Sequence, residues 1–399
     1  MTVKSAGDVY YDPYDPALHA DPYPAFRRLR EEAPLYYNEA HDFFALSRFA
    51  DVEKGLFNHA TFSSARGIIL ELIKADLDIP PGMFVFEDPP LHSTHRGVLS
   101  RVFSAKKMNT LEPRIREFCA HALDPLVGAG HFDFVADLGA KMPMRVIGML
   151  LGIPEQDQQA VRTHVDDQLH HEPGEPKEFH EEQFAGDTFF ADYIDWRAKH
   201  PSNDLMTELL QAEFEDETGT VRRLTREEVL IFVTVLATAG NETTNRLIGW
   251  TGKVLAEHPD QRRELHADRS LIRNAIEELL RYEPPAIQVC RYVTRKVEYY
   301  GQTVPEGSVM MFLNGSANRD HRVFPPDGDN FDIHRRIGQH LTFGYGIHFC
   351  LGAALARLEG RIALDEVLER FPEWEVDWDS AKLNSSVVRG WERMPVSVP

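Results

Sequence analysis

Apolar positions along the chain fall mostly at helical spacing, and the longest such run is Leu224–His258. Thr225 followed three residues later by Glu228 forms a capping box, and Pro259 marks the exit, which predicts one helix between them. At 1.5 Å per residue such a helix spans roughly 50 Å, enough to cross a globular domain. From Val229 to Ala239 the run is apolar on every side, so the helix should be buried rather than amphipathic. Into it the sequence inserts Ala239-Gly-Asn-Glu-Thr-Thr244. Glycine weakens a helix, and hydroxyls can bond back to its carbonyls. A buried Glu242 is costly unless paired or protonated. Such a break either does chemistry or fixes packing through hydrogen bonds between helices.

Further helices are expected at Ala25–Glu32, entered through Asp21-Pro-Tyr-Pro24 and ended by Pro34, and at Leu271–Tyr282, stopped by Pro284-Pro285. Leu111–Val127 and Phe132–Leu151 read as two more, joined by Gly128-Ala-Gly130. Another follows Cys350, with Leu351, Leu355, Leu358 and Ile362 at three-and-four spacing. Leu35–Tyr37 with Phe43–Leu46 suggests a hairpin, and Ala286–Tyr300, Val309–Leu313, Trp374–Trp378 and Ser385–Pro395 suggest strands. Gly67–Gly82, carrying Ile68, Ile69, Leu70, Leu72 and Ile73, is either a flap over an apolar cavity or a surface loop with buried anchors. Gln156–Phe184 holds His164, His170, His171 and His180, but no rigid ligand pair of a zinc motif. It reads instead as a solvated helix–loop–helix, broken at Pro173-Gly174 and Pro176.

Composition narrows the class. The 399 residues are 43% hydrophobic, and length alone would allow two or three domains. No Ser/Gly-rich linker, repeat or low-complexity tract divides them, so one domain over residues 1–399 is expected. A formal charge of -20 argues against a general nucleic-acid binder. The start lacks the apolar core of a signal peptide, and no stretch reaches the ~20 apolar residues of a membrane span. Three cysteines, Cys119, Cys290 and Cys350, are too few for a disulfide framework and suit a reducing compartment. A cytoplasmic protein without a membrane anchor is expected.

The candidate chemistry centres on Phe343–Arg357. Gly344 and Gly346 let the backbone bend tightly and approach a flat ligand. Cys350 stands just before a helix, where amides and the dipole favour thiolate over thiol. A thiolate so placed can ligate a soft or redox metal, above all haem iron. The stretch resembles the haem-ligand loop of the cytochrome P450 family, Phe-Gly-x-Gly-x-His-x-Cys-x-Gly, at every fixed position. Asp88-Pro-Pro-Leu-His92-Ser-Thr-His-Arg96 resembles the family's Asp-Pro-Pro-x-His-x-x-x-Arg helix. Ala239-Gly-Asn-Glu-Thr243 resembles its oxygen-activation motif, and Glu278-Leu-Leu-Arg281 with Phe331-Asp-Ile-His-Arg335 its structural Glu-x-x-Arg network.

The resemblance implies a mainly α (α+β) fold, one helix-rich domain with small sheets, and haem b (iron protoporphyrin IX) between the long central helix and the cysteine helix. It implies Cys350 as iron ligand and His92, Arg96, Arg291 and His348 as holders of the propionates, with Phe343, Gly344 and Gly352 beside the ring. Ala239 and Gly240 would make room for oxygen, and Glu242 with Thr243 would form an acid–alcohol proton relay. His95 has no counterpart role. Ile69, Phe84, Val235, Ile287, Val289 and Val387 would line an apolar substrate cavity, under a mobile roof at residues 156–184. The implied reaction is hydroxylation of a lipophilic small molecule by dioxygen. Electrons would come from a separate ferredoxin and ferredoxin reductase, docking on a basic patch of Arg101, Lys106, Lys107 and Arg361. The protein would be a monomer. A peroxide-driven peroxygenase and a non-catalytic haem-thiolate sensor are the alternatives, and the intact acid–alcohol pair argues against the sensor.

Overall fold

The computed structural model describes residues 9–169, 176–179, 188–384 and 388–399. Its axis is a helix of 32 residues, Arg226–Glu257, opened by the capping box. Thr225 Oγ1 accepts from Glu228 N at 3.1 Å, and the Glu228 carboxylate accepts from Thr225 N at 2.7 Å. Helices Met142–Leu151 and Ala353–Arg370 pack against it, so apolar residues on most of its sides are buried in the largest core cluster. Helix Ile272–Tyr282 lies against both it and Ala353–Arg370. This is the helix-rich fold with small sheets that the resemblance implies.

The largest sheet has five strands in the order Leu35–Asn38, Phe43–Leu46, Val309–Phe312, Val289–Val293, Phe62–Ser63. The first two form the expected hairpin, whose turn puts Asp42 at φ 47°. Strand Val309–Phe312 pairs parallel to Phe43–Leu46 and antiparallel to Val289–Val293. Both faces are covered. Phe43, Ala45, Val309 and Met311 enter one apolar cluster, while Phe44, Leu46, Met310 and Phe312 enter another. Arg291, opposite Met310, is thereby carried on an inner strand of the sheet and buried.

Three expectations need correction. Ser385–Pro395 is not one strand: among the described residues Trp391–Arg393 pairs with Lys382–Leu383, and Pro395 opens a separate strand, Pro395–Ser397, that pairs with Glu375–Val376. Ala286–Tyr300 is not one strand: it divides into Val289–Val293 and Val297–Tyr299, the second forming a hairpin with Gln302–Val304 across Tyr300 and Gly301, both at positive φ. Phe132–Leu151 is not one helix either. His131–Asp133 joins a sheet with Pro395–Ser397, Phe134–Gly139 is a π-helical turn, and only Met142–Leu151 is α-helical. The cause is Asp133, whose Oδ1 accepts from Val135 N, Ala136 N and Met394 N and so holds the chain in a turn. Pro143 then starts the helix afresh.

The stretch 67–82 contains a short helix, Leu70–Ala75, with Leu70, Leu72 and Ile73 buried. Helix Gln158–Leu169 lies where the roof is expected; His170, His171 and His180 fall outside the described residues. Among the described residues there is no cluster of side chains able to hold a metal ion, and no helix long and apolar enough to cross a membrane.

Candidate active site

The cysteine loop is built by its glycines. Gly344 and Gly346 have φ of 69° and 72°, which a side chain would strain, and a Cβ on Gly346 would lie 3.2 Å from Leu56 O. Cys350 N donates to Phe343 O at 2.8 Å and closes the loop. Phe343 is buried beneath Arg357, whose guanidinium lies 4.4 Å from the ring centroid. Arg357 is in turn held by Glu277, at 2.7 and 3.0 Å. Cys350 lies deep in the protein, yet its side chain borders open space. Burial pushes its thiol up, while the amides of Gly352 and Ala353 and the charges of Arg96 and Arg357 pull it down.

Along the central helix, Val235, Ala239 and Thr243 recur every fourth residue and share one face. Val235 and Thr243 are half-buried and Ala239 is exposed, in the middle of an otherwise buried helix. That face therefore borders a cavity. Thr243 Oγ1 donates back to Ala239 O at 2.9 Å. Gly240 packs on Ile147. Glu242, 3% exposed, is ion-paired with Arg246, which also donates to Trp391 O. The carboxylate is thus engaged one turn beyond Thr243, and the spacing of Glu242 and Arg246 made that pair readable beforehand. Thr244 Oγ1 meets Glu359 Oε2 at 3.3 Å, a contact no motif announced.

A set of basic side chains gathers beside the cysteine loop. The rings of His92 and His348 are 4.3 Å apart. Both ring nitrogens of His92, and Nε2 of His348, are buried with no hydrogen-bond partner. Arg291 is buried, and its guanidinium reaches the carbonyl of Cys290 at 2.8 Å. Arg96 donates to Phe349 O at 2.6 Å. Burial, then Arg96, lowers His92 to about 4; burial, then Arg291 and His92, lowers His348 to about 2; burial lowers Arg291 to about 10. His59 adds to both histidines' burden and was not foreseen. Buried nitrogens without partners are costly, and so is a buried guanidinium such as Arg291 without a counter-charge. Two carboxylates would satisfy them, and the propionates of haem are such a pair, so these residues fit the group.

The apolar positions divide. Ile69, Ile287 and Val289 line one narrow cleft, together with Tyr14 and Gln288, with a volume of about 80 Å³. Val235 lies on the cavity face of the central helix. Phe84 is 5% exposed and packs edge-on against Phe232. Val387 lies outside the described residues. Glu278 binds Arg281 at 2.6 Å through both oxygens and Arg335 at 3.2 Å, and all three side chains are buried. Of the basic patch, Lys106 is exposed, but Lys107 is neutralised by Glu208 and Arg101 turns to Glu213 O.

The family model described as Cytochrome P450 matches residues 164–387. Cytochrome P450 123 of Mycobacterium tuberculosis is 39% identical over 406 residues, covering 100% of this chain and 99% of that one. The vitamin D(3) 25-hydroxylase of Pseudonocardia autotrophica is 34% identical over 405 residues, again 100% and 99% of the two. The crystal structure of CYP109E1 from Bacillus megaterium in complex with testosterone superposes with a TM-score of 0.85 at 29% identity, over 96% of this chain and 99% of that one. Likeness sustained from end to end, in sequence and in fold alike, shows that the chain belongs to the cytochrome P450 family and is a monooxygenase whose cofactor is haem, iron protoporphyrin IX.

Proposed function

We propose that this enzyme hydroxylates a lipophilic small molecule, with electrons from a ferredoxin and its reductase. Residues 1–399 would act as one domain, a cytoplasmic monomer. Cys350 would ligate the iron, and His92, Arg96, Arg291 and His348 would hold the propionates, with Phe343, Gly344 and Gly352 against the ring. Haem bound there supplies reductive activation of dioxygen, which a thiolate ligand favours. The chain contributes position and protons. Ala239 and Gly240 leave space on the cavity face. Thr243 would hold a proton at Oγ1, and Glu242, once released from Arg246, would resupply it.

Val235 on the central helix, and Ile69, Ile287 and Val289 in the cleft, would exclude water and orient an apolar skeleton. One relative is named for vitamin D(3) and a solved neighbour holds testosterone, which supports a substrate of steroid-like size. The single observation that carries the reading is the pair of histidines whose buried nitrogens have no partner beside the cysteine loop.

The test is optical. Carbon monoxide added to the reduced protein should give the red-displaced band of a thiolate ligand, and Cys350→Ser should abolish it. An unchanged spectrum in the variant overturns the reading. Turnover with ferredoxin, reductase and oxygen, against peroxide alone, separates the monooxygenase from the peroxygenase.

A further inference from the structure

His95, between Thr94 and Arg96 in the helix Leu91–Val102, is fully buried at 0% exposure. Its Nδ1 lies 2.9 and 2.8 Å from the two oxygens of Glu87. Its Nε2 faces Glu228 Oε1 at 3.6 Å, just beyond hydrogen-bond reach. The ring edge meets Phe232 at 5.3 Å. A histidine with a carboxylate at each nitrogen, sealed from solvent, does more than fill space.

Each carboxylate belongs to a different element. Glu87 closes the loop after Pro80-Pro81, and its Oε1 accepts from Gly82 N at 2.6 Å, so the loop 82–87 is tied across its own ends. Gly82 has φ +107° and sits against Ile231: an added Cβ would lie 3.4 Å from Ile231 Cδ1. Phe84, inside the loop, rests on Phe232, with ring centroids 5.9 Å apart. Glu228 belongs to the first turn of the central helix, where it also receives Thr225 N and the guanidinium of Arg222 at 2.8 and 2.9 Å. Asp216 backs Arg222 at 3.1 Å. Ile231 starts the four-residue series that continues through Val235, Ala239 and Thr243. The loop is therefore seated on the end of the same face that borders the cavity.

We propose that His95 is a positioning residue that latches the 82–87 loop onto the central helix, and through that loop sets the wall of the substrate cavity. The claim about the cavity rests on the haem reading above; the claim about the loop does not. Without the bond from Nδ1, Glu87 would be a buried carboxylate holding only one backbone amide, and the loop would open to hydrate it.

The two ring nitrogens make the latch testable. Asn places its amide nitrogen near the position of Nδ1 and can still serve Glu87; Gln reaches only toward Nε2 and Glu228. Hydrogen exchange of the peptide spanning 80–87, in the holoenzyme, reads the loop directly. His95→Gln and His95→Ala should speed its exchange about tenfold, His95→Asn by no more than about twofold, and a peptide within 353–370 should not change. Ligand affinity reads the wall: bulky phenyl-substituted imidazoles should change their affinity several-fold in the Gln and Ala variants, while imidazole itself keeps its own. Asn behaving like Ala, or all three variants leaving exchange unaltered, overturns the latch. Should a His95 variant fail to fold, Glu87→Gln, which keeps an acceptor for Gly82 N but loses the charge facing His95, should speed the same exchange; no change there overturns it too. Failure of imidazole to perturb the spectrum of the unmodified protein would count against the haem reading alone, since exchange still decides the latch.

Discussion

Glu359 is a carboxyl on the inner side of the cysteine helix, 2% exposed, which accepts from the Thr244 hydroxyl. Burial pushes its pKa up to about 8, and the Thr244 bond only partly offsets this. The folded state therefore keeps a proton that the unfolded chain gives up near the usual carboxylate range of about 4.3. Stability from this group is complete below that range and is lost as pH rises toward 8. Glu359→Gln should flatten the fall in stability between pH 5 and pH 8 and raise the unfolding free energy at pH 8 by on the order of 1–3 kcal/mol. Urea melts of both proteins at three pH values check it, and parallel curves would refute it. The partnerless nitrogens of His92 and His348 show the opposite remedy, since their cost is relieved by a ligand rather than by a proton.

Among elements, the tie between helix Ile272–Tyr282 and the segment leading to the cysteine loop is the one most exposed to single substitutions. Glu278 holds Arg281 through both oxygens and also accepts from Asp332 N at 2.9 Å. Arg281 goes on to the carbonyls of Asn318 and Gly328, and Arg335 to those of Pro325, Asp327 and Asn330. Loss of Glu278 strands a buried guanidinium, whereas loss of Arg335 leaves the Glu278–Arg281 pair intact. Glu278→Ala should cost about 3–5 kcal/mol, and Arg335→Ala less, roughly 1–3 kcal/mol. Chemical denaturation gives the order, and a larger loss in Arg335→Ala would contradict it. The same logic reads the central helix: Glu242 is tolerated in an apolar run because Arg246 lies one turn on and reaches the last strands through Trp391 O.

At the scale of the molecule, a formal charge of -20 coexists with a small cationic edge. Helix Ala105–Asn109 packs beside the cysteine helix, placing Lys106 near the side that carries Arg361, while Lys107 is neutralised by Glu208. An acidic electron donor would be steered to that edge. Lys106→Glu with Arg361→Glu should slow reduction by ferredoxin several-fold at low salt and flatten its dependence on ionic strength. An unaltered salt slope would show that the donor docks elsewhere.

Much of this was legible in residue order because the interactions concerned are local. The capping box at Thr225, the glycine-bent loop before Cys350 and the pairing of Glu278 with Arg281 all act within a few residues, so spacing alone predicts them. The break at Asp133 was not legible, because its third amide comes from Met394, far away in the chain. Nor was the engagement of His95, whose two carboxylates lie on separate elements. Local spacing sets which groups can act and where helices begin. Which of them meet, which are left without partners and which are sealed from water depends on long-range packing, since burial and the pairing it demands are properties of the assembled core rather than of any one stretch.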